Sequence, residues 1–233
     1  MKAIILAGGR GTRLQSVIHD IPKPMAPVNG RPFLEFLVSR LVALGCNDII
    51  LSVGYLHEKI MAHFGDGRDF NSSIKYCVEH EPLGTGGAVR EALLMAGRDD
   101  VLVMNGDTFA AVDIRKLASF HEFLKVIATV AVIPLDDASR YGAVDVSPIG
   151  FVTAFAEKKT ACSALINSGI YVINRKILDS IPAGRVSLET EVLPALAATG
   201  QLGAQIQDVP FIDIGIPSAY QEFCLNSSKY AGI

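Results

Sequence analysis

The sequence predicts an α/β fold: a mainly parallel central sheet with helices on both faces, and a mixed-sheet portion in its second half. Two patterns predict it. Over residues 1–110, short runs rich in Ile and Val alternate with amphipathic stretches, as parallel strands joined by crossover helices do. Beyond that, apolar runs follow one another with few helical stretches between them, as strands that pair directly do. Composition agrees, since 50% of the 233 residues are apolar and 19% are charged, enough for a sizeable core.

In the first half, residues 3–6, 48–53, 74–78 and 101–104 read as buried strands bounded by turn residues. Between them, 32–44, 57–64 and 86–95 read as helices, the first with Phe33, Leu34, Phe36, Leu37, Leu41 and Leu44 on one side. Such alternation implies right-handed crossovers and a ligand at the carboxyl ends of the strands. In the second half, 126–133, 143–146, 151–157 and 168–173 read as strands, and helices return near 175–180 and 188–198. The polar and small residues 226–233 are expected to fray. One domain, 1–233, is expected.

A formal net charge of −3 argues against binding nucleic acid through an overall field, while leaving room for a local basic pocket. Cys46, Cys77, Cys162 and Cys224 form no metal-ligand spacing, so buried reduced thiols are expected. The apolar opening runs straight into Gly8 and Gly9, too soon for a signal-peptide core or a membrane span. A soluble cytoplasmic protein is expected, with no membrane partner.

The densest signal is Leu6-Ala7-Gly8-Gly9-Arg10-Gly11-Thr12-Arg13-Leu14, followed by Pro22-Lys23-Pro24-Met25. Glycines after a strand let backbone N–H groups approach an anion closely. Arg13 adds a cationic fork and Lys23 a point charge, held in an extended segment by its flanking prolines. A triphosphate needs such a cradle. A dinucleotide-binding turn would place a third glycine where Leu14 stands, and no Walker string occurs. The plain alternative is a tight strand-to-helix turn.

Together, Gly-Gly-x-Gly-x-Arg-Leu and Pro-Lys-Pro resemble the sugar-phosphate nucleotidyltransferase family. The resemblance continues through Glu81-Pro82-Leu83-Gly84-Thr85-Gly86-Gly87, Asn105-Gly106-Asp107, Tyr141-Gly142, Glu157-Lys158, Asn167-Ser168-Gly169-Ile170-Tyr171 and Phe211 to Pro217. It implies a Rossmann-like nucleotidyltransferase fold, with a nucleotide-binding part over about 1–110 and a sugar-binding part over about 111–225. Within the family, the opening block, Glu81–Gly87 and Asp213–Pro217 resemble the D-glycero-D-manno-heptose 1-phosphate guanylyltransferase group. That implies GTP and the heptose 1-phosphate as substrates, in nucleotide-sugar synthesis for cell-surface polysaccharide.

By this resemblance the nucleotide lies against Leu6, Ala7, Gly8, Gly9, Gly11, Thr12, Arg13, Lys23, Glu81, Gly84, Thr85 and Asp107. The sugar phosphate lies against Asn105, Gly142, Glu157, Lys158 and Asn167, with Lys159 a rival to Lys158. Arg13, Lys23 and Asp107 are the implied catalytic residues, and Asp107 with Asp213 the implied Mg²⁺ ligands. Asp107 ends a strand and Asp213 lies within an apolar strand ending, where a carboxylate is costly unless paired or metal-bound; the plain reading is a turn or cap.

Glu81 suits guanine, whose adjacent N1–H and N2–H can both donate to one carboxylate; Glu79 is its rival. Uridylyl-, thymidylyl- and cytidylyltransferases for hexose or choline phosphates remain alternatives, as does a nucleotide-sugar-binding regulator without turnover. Such a regulator would be expected to lack Arg13, Lys23, Asp107 or Asp213, and all four are present. With the chain ending at 233, no fused acyltransferase repeat domain is expected. The five histidines are expected to be structural. Oligomeric state stays open, a homodimer included.

Overall fold

The computed structural model describes residues 1–9, 11–14, 17–18, 20–97, 100–156 and 163–231. Strand β1 (Lys2–Ala7) is followed by a short hairpin, β2 (Pro27–Val28) and β3 (Arg31–Pro32), and helix α1 (Phe33–Ala43). Next come β4 (Asp48–Val53), α2 (His57–Phe64), β5 (Ser73–Val78), α3 (Gly84–Ala96), β6 (Asp100–Asn105) and β7 (Thr108–Ala110). The second half contains α4 (Ile114–Leu124), β8 (Ala128–Leu135), β9 (Ala143–Val146), β10 (Val152–Ala156) and β11 (Ala164–Asn174). It closes with α5 (Leu193–Ala198), β12 (Leu202–Ile206), β13 (Phe211–Asp213) and α6 (Pro217–Ala231).

Among the described residues, one sheet of nine strands runs β10-β9-β11-β6-β1-β4-β5, with β8 paired to β11 and β12 to β8. Strands β6, β1, β4 and β5 are mutually parallel. Strand β11 enters antiparallel to β6 and begins the mixed portion. Alternation along β1 shows why both faces are covered: Ala3, Ile5 and Ala7 join one core, and Ile4 joins the other. Each is essentially removed from water, and a buried Ile contributes about 1.5–3 kcal/mol.

The chain passes from β1 through α1 to β4, then outward to β5, and returns across α3 to β6 on the opposite side of β1. The strand order therefore reverses beside β1. Crevices of open α/β sheets form at that reversal, beyond the carboxyl ends of the strands. The chain leaves β1 and β6 there at Gly8 and Gly106.

The four strands and three helices expected in the first half are present within two residues of their expected ends. Two helices were not expected. Helix α4 is capped by Asp113, whose side chain accepts from the Arg115 and Lys116 amides, and it buries Ile114, Leu117 and His121 at helical spacing. Residues 226–231 continue α6 past a kink at Asn226 instead of fraying. Tyr230 is buried against Phe109 and Phe223, which anchors that last turn. The expected helix at 188–198 is a π-turn over Leu188–Val192 leading into α5. Cys46 and Cys77 are buried free thiols and Cys224 is half-buried; Cys162 lies outside the described residues.

Candidate active site

A cleft of about 990 Å³ opens at the reversal point. Of the sequence-predicted residues, it gathers Leu6, Ala7, Gly8, Gly9, Gly11, Thr12, Arg13, Lys23, Glu81, Gly84, Thr85, Asn105 and Asp107. One wall is the loop after β1. Gly11 has φ +60°, and a Cβ there would lie 2.5 Å from Lys23 Cβ, so only glycine lets the loop pass over the lysine. A 3-10 turn over Thr12–Leu14 follows; fully buried Leu14 pins it and leaves Arg13 exposed at the cleft.

Lys23 opens a second 3-10 turn, with extended Pro22 before it (φ −69°, ψ 145°) and Pro24 after it. Although a lysine, it is only 6% exposed. Its Nζ donates to Asp107 Oδ2 at 2.7 Å and lies 3.6 Å from Asp213 Oδ1. Strand pairing brings the two aspartates together: β13 runs antiparallel to β7 with Asp213 opposite Thr108, and the Ile214 amide donates to the Asp107 carbonyl at 3.0 Å. Asp213 Oδ1 also accepts from the Gly215 amide at 2.7 Å, and Arg140 Nη2 lies 4.0 Å from its Oδ2.

Two carboxylates converging on one cation are a donor set that fits Mg²⁺. That ion takes oxygen ligands, and one or two carboxylates suffice when substrate phosphates and water complete its shell. No group of three or more metal-ligating side chains occurs among the described residues.

Two acids that line the cleft differ in setting. Glu81 is exposed at the cleft rim. Glu79, at the end of β5, is half-buried and accepts from Ser52 Oγ at 3.1 Å and from the Leu83 amide at 3.4 Å. A Cβ on Gly8 would stand 2.3 Å from its Oε1, so the glycine loop and Glu79 share one tight wall. Burial pushes the Glu79 carboxyl above its ordinary range, against the two hydrogen bonds. The Gly84–Gly87 turn is backed by residues 184–189. Val186 O accepts from the Gly86 amide, Thr85 Oγ1 accepts from the Leu188 amide, and the Thr85 hydroxyl donates to Glu189 Oε2. Arg185 from this segment reaches the cleft, a cation that no local motif in the sequence singles out.

Asn105 ends β6 inside the cleft, and its buried Oδ1 has no hydrogen-bond partner among the described residues. Such an acceptor fits a substrate donor. Asn167 and Gly142 lie outside the cleft lining. Ala143 pairs with Ile166, which carries Gly142 toward Asn167, and the Asn167 side chain is engaged by the Tyr171 hydroxyl and the Gly169 amide. Glu157, Lys158 and Lys159 lie outside the described residues, as do Arg10 and His19. Of the other histidines, His57 and His80 line the cleft, His63 meets Glu35, and His121 is buried.

A parallel sheet whose reversal point holds a glycine loop, a buried lysine and two carboxylates defines a nucleotide-binding phosphotransfer protein. The chain belongs to the nucleotidyl transferase family, whose model matches residues 2–229. It is 40% identical over 223 residues to a D-glycero-alpha-D-manno-heptose 1-phosphate guanylyltransferase of Aneurinibacillus thermoaerophilus, covering 95% of this chain and 96% of that one. A protein of the same description from Campylobacter jejuni is 40% identical over 227 residues, covering 97% and 100%. Two crystal structures of HddC from Yersinia pseudotuberculosis, 37% identical, superpose with TM-scores of 0.88 and 0.87 over 97% of this chain and 99% of that one. One of them is complexed with GMP-PN. No helix among the described residues is long and apolar enough to cross a membrane.

Proposed function

We propose that this protein transfers GMP from GTP to D-glycero-α-D-manno-heptose 1-phosphate, giving the GDP-heptose and pyrophosphate. The observation that carries the reaction is the convergence of Asp107 and Asp213 on Lys23, with Lys23 and Asp107 lining the cleft beside the glycine loop. The substrate pair follows the two relatives of matching length. GTP is a cytoplasmic metabolite, so we place the reaction there, as a step supplying an activated sugar for cell-surface polysaccharide.

A phosphate oxygen of the sugar 1-phosphate attacks the α-phosphorus of GTP. The new P–O bond forms as the bond to the bridging oxygen breaks, and the electron pair leaves with pyrophosphate. The nucleophile is an anion at neutral pH, so no general base is needed. Catalysis is then positioning and neutralisation of charge. Arg13 holds the β- and γ-phosphates, and Lys23 neutralises charge at the α-phosphate. Lys158 seats the attacking phosphate. Asp107 and Asp213 would hold Mg²⁺, which would supply further neutralisation of the triphosphate.

For the base, the inward acid is the better reader. A carboxylate has about four acceptor positions; Glu79 uses two on Ser52 and Leu83, which leaves two for guanine N1–H and N2–H. Asn105 Oδ1 accepts from the sugar side.

Pyrophosphate release would be followed with GTP, CTP, UTP, dTTP and ATP against a panel of sugar 1-phosphates. Release is expected with GTP and the heptose 1-phosphate. Release only with another pair would reassign the substrates, and none across the panel would favour binding without turnover.

A further inference from the structure

We propose that Lys23 is an internal counter-ion that holds the metal-binding carboxylates in the nucleotide-free protein and competes with the divalent cation for them. The inference rests on the reading of Asp107 and Asp213 as metal ligands. Lys23 Nζ lies 2.7 Å from Asp107 Oδ2 and 3.6 Å from Asp213 Oδ1, so one ammonium spans the pair that the cation would use. Among the described residues, the two aspartates are the ion-pair partners of this lysine. Its side chain is 7% exposed, its stem is covered by the backbone at Gly11, and Pro22 and Pro24 fix the turn from which it projects.

The carboxylates, by contrast, keep more contact with water: the Asp107 side chain, which lines the cleft, is 38% exposed and that of Asp213 20%. A cation arriving from the cleft therefore meets oxygens already facing an ammonium, with Arg140 4.0 Å from the far side of Asp213. Like charges on shared ligands repel, so metal and lysine weaken each other's hold. The triphosphate relieves this by offering Lys23 another anion. Metal and nucleotide then favour each other's binding beyond simple chelation, because coupling between two ligands is reciprocal. The device would keep the cleft poised for metal and triphosphate arriving together.

The test uses the full chain without nucleotide, titrated with MnCl₂, reading free Mn²⁺ by its electron paramagnetic resonance signal. Lys23→Met is expected to bind Mn²⁺ at least about tenfold more tightly than the wild type, and Lys23→Gln to tighten less. Adding Asp107→Asn to Lys23→Met is expected to abolish the gain. Equal affinity in wild type, Lys23→Met and Lys23→Gln, with loss in Asp107→Asn, would overturn the competition and leave the metal assignment standing. Absence of binding in every variant would overturn both. Circular dichroism checks folding, since removing the lysine leaves two carboxylates facing each other. If Lys23→Met is unfolded without metal, Lys23→Gln carries the comparison.

Discussion

At Glu79 the protein holds a carboxylate half out of water, tied to Ser52 and Leu83, while Glu81 two residues later stays exposed. Glu79→Gln is therefore expected to lower the preference for GTP over UTP by about 10- to 100-fold, the loss of a charge-assisted hydrogen bond. Glu81→Gln should leave that preference nearly unchanged. Competition assays with the two nucleotides measure both, and the reverse ranking would move base recognition to Glu81. The raised carboxyl also has a stability sign. The fold favours the protonated form, so its contribution is complete below the unfolded value and lost as pH rises through the folded one. Glu79→Gln should consequently raise Tm at pH 7.5, and a lowered Tm would mean the carboxylate contributes to the fold.

Lys23→Ala is expected to cut kcat by about 10²–10³-fold with a smaller effect on GTP affinity, which steady-state kinetics beside equilibrium binding would separate. Equal losses would make Lys23 a binding residue only. The sequence made Lys23 and the glycine loop legible because their roles are local: residues next to one another build the turn. It could not choose between Glu79 and Glu81, because which acid turns inward depends on where β5 stops against β4.

At the scale of elements, α6 positions the second carboxylate. Phe223 is fully buried and meets Phe33, Phe36, Phe109 and Tyr230, which clamps α6 over β7 and β13. Phe223→Ala is expected to cost about 3–5 kcal/mol, read from urea denaturation. A loss below about 1 kcal/mol would show that this aromatic cluster does not hold the helix. Helix α4 has a titrating anchor. Buried His121 bonds Thr129 on β8 through Nδ1 at 2.8 Å, and burial holds its pKa below the ordinary value despite Asp100 3.5 Å away. The neutral form belongs to the fold, so its stability is complete above the unfolded value and lost as pH falls through the folded one. Between pH 7.5 and 5, Tm should fall more steeply in the wild type than in His121→Gln; parallel slopes would remove His121 as the cause. Helix α4 was hard to read because its buried face is narrow and ends in a histidine, while Phe123 on the same helix is 76% exposed. The end of α6 misled for the opposite reason, since a single buried Tyr230 outweighs the polar residues around it.

For the whole molecule, the strand alternation made the parallel half legible, and with it the crevice beyond β1 and β6. The long-range pairing of β7 with β13 was not legible, because three-residue strands about a hundred positions apart leave no periodic signal. That pairing brings Asp107 and Asp213, about a hundred positions apart, onto Lys23. The most direct test of this site as a guanylyl-transfer centre is ³¹P NMR of the protein with GTP, Mg²⁺ and D-glycero-α-D-manno-heptose 1-phosphate. The expected result is loss of the monoester and triphosphate signals, with pyrophosphate and a sugar-nucleotide diphosphate ester appearing in equal amounts. Accumulation of orthophosphate or GDP in their place, or unchanged spectra, would contradict it.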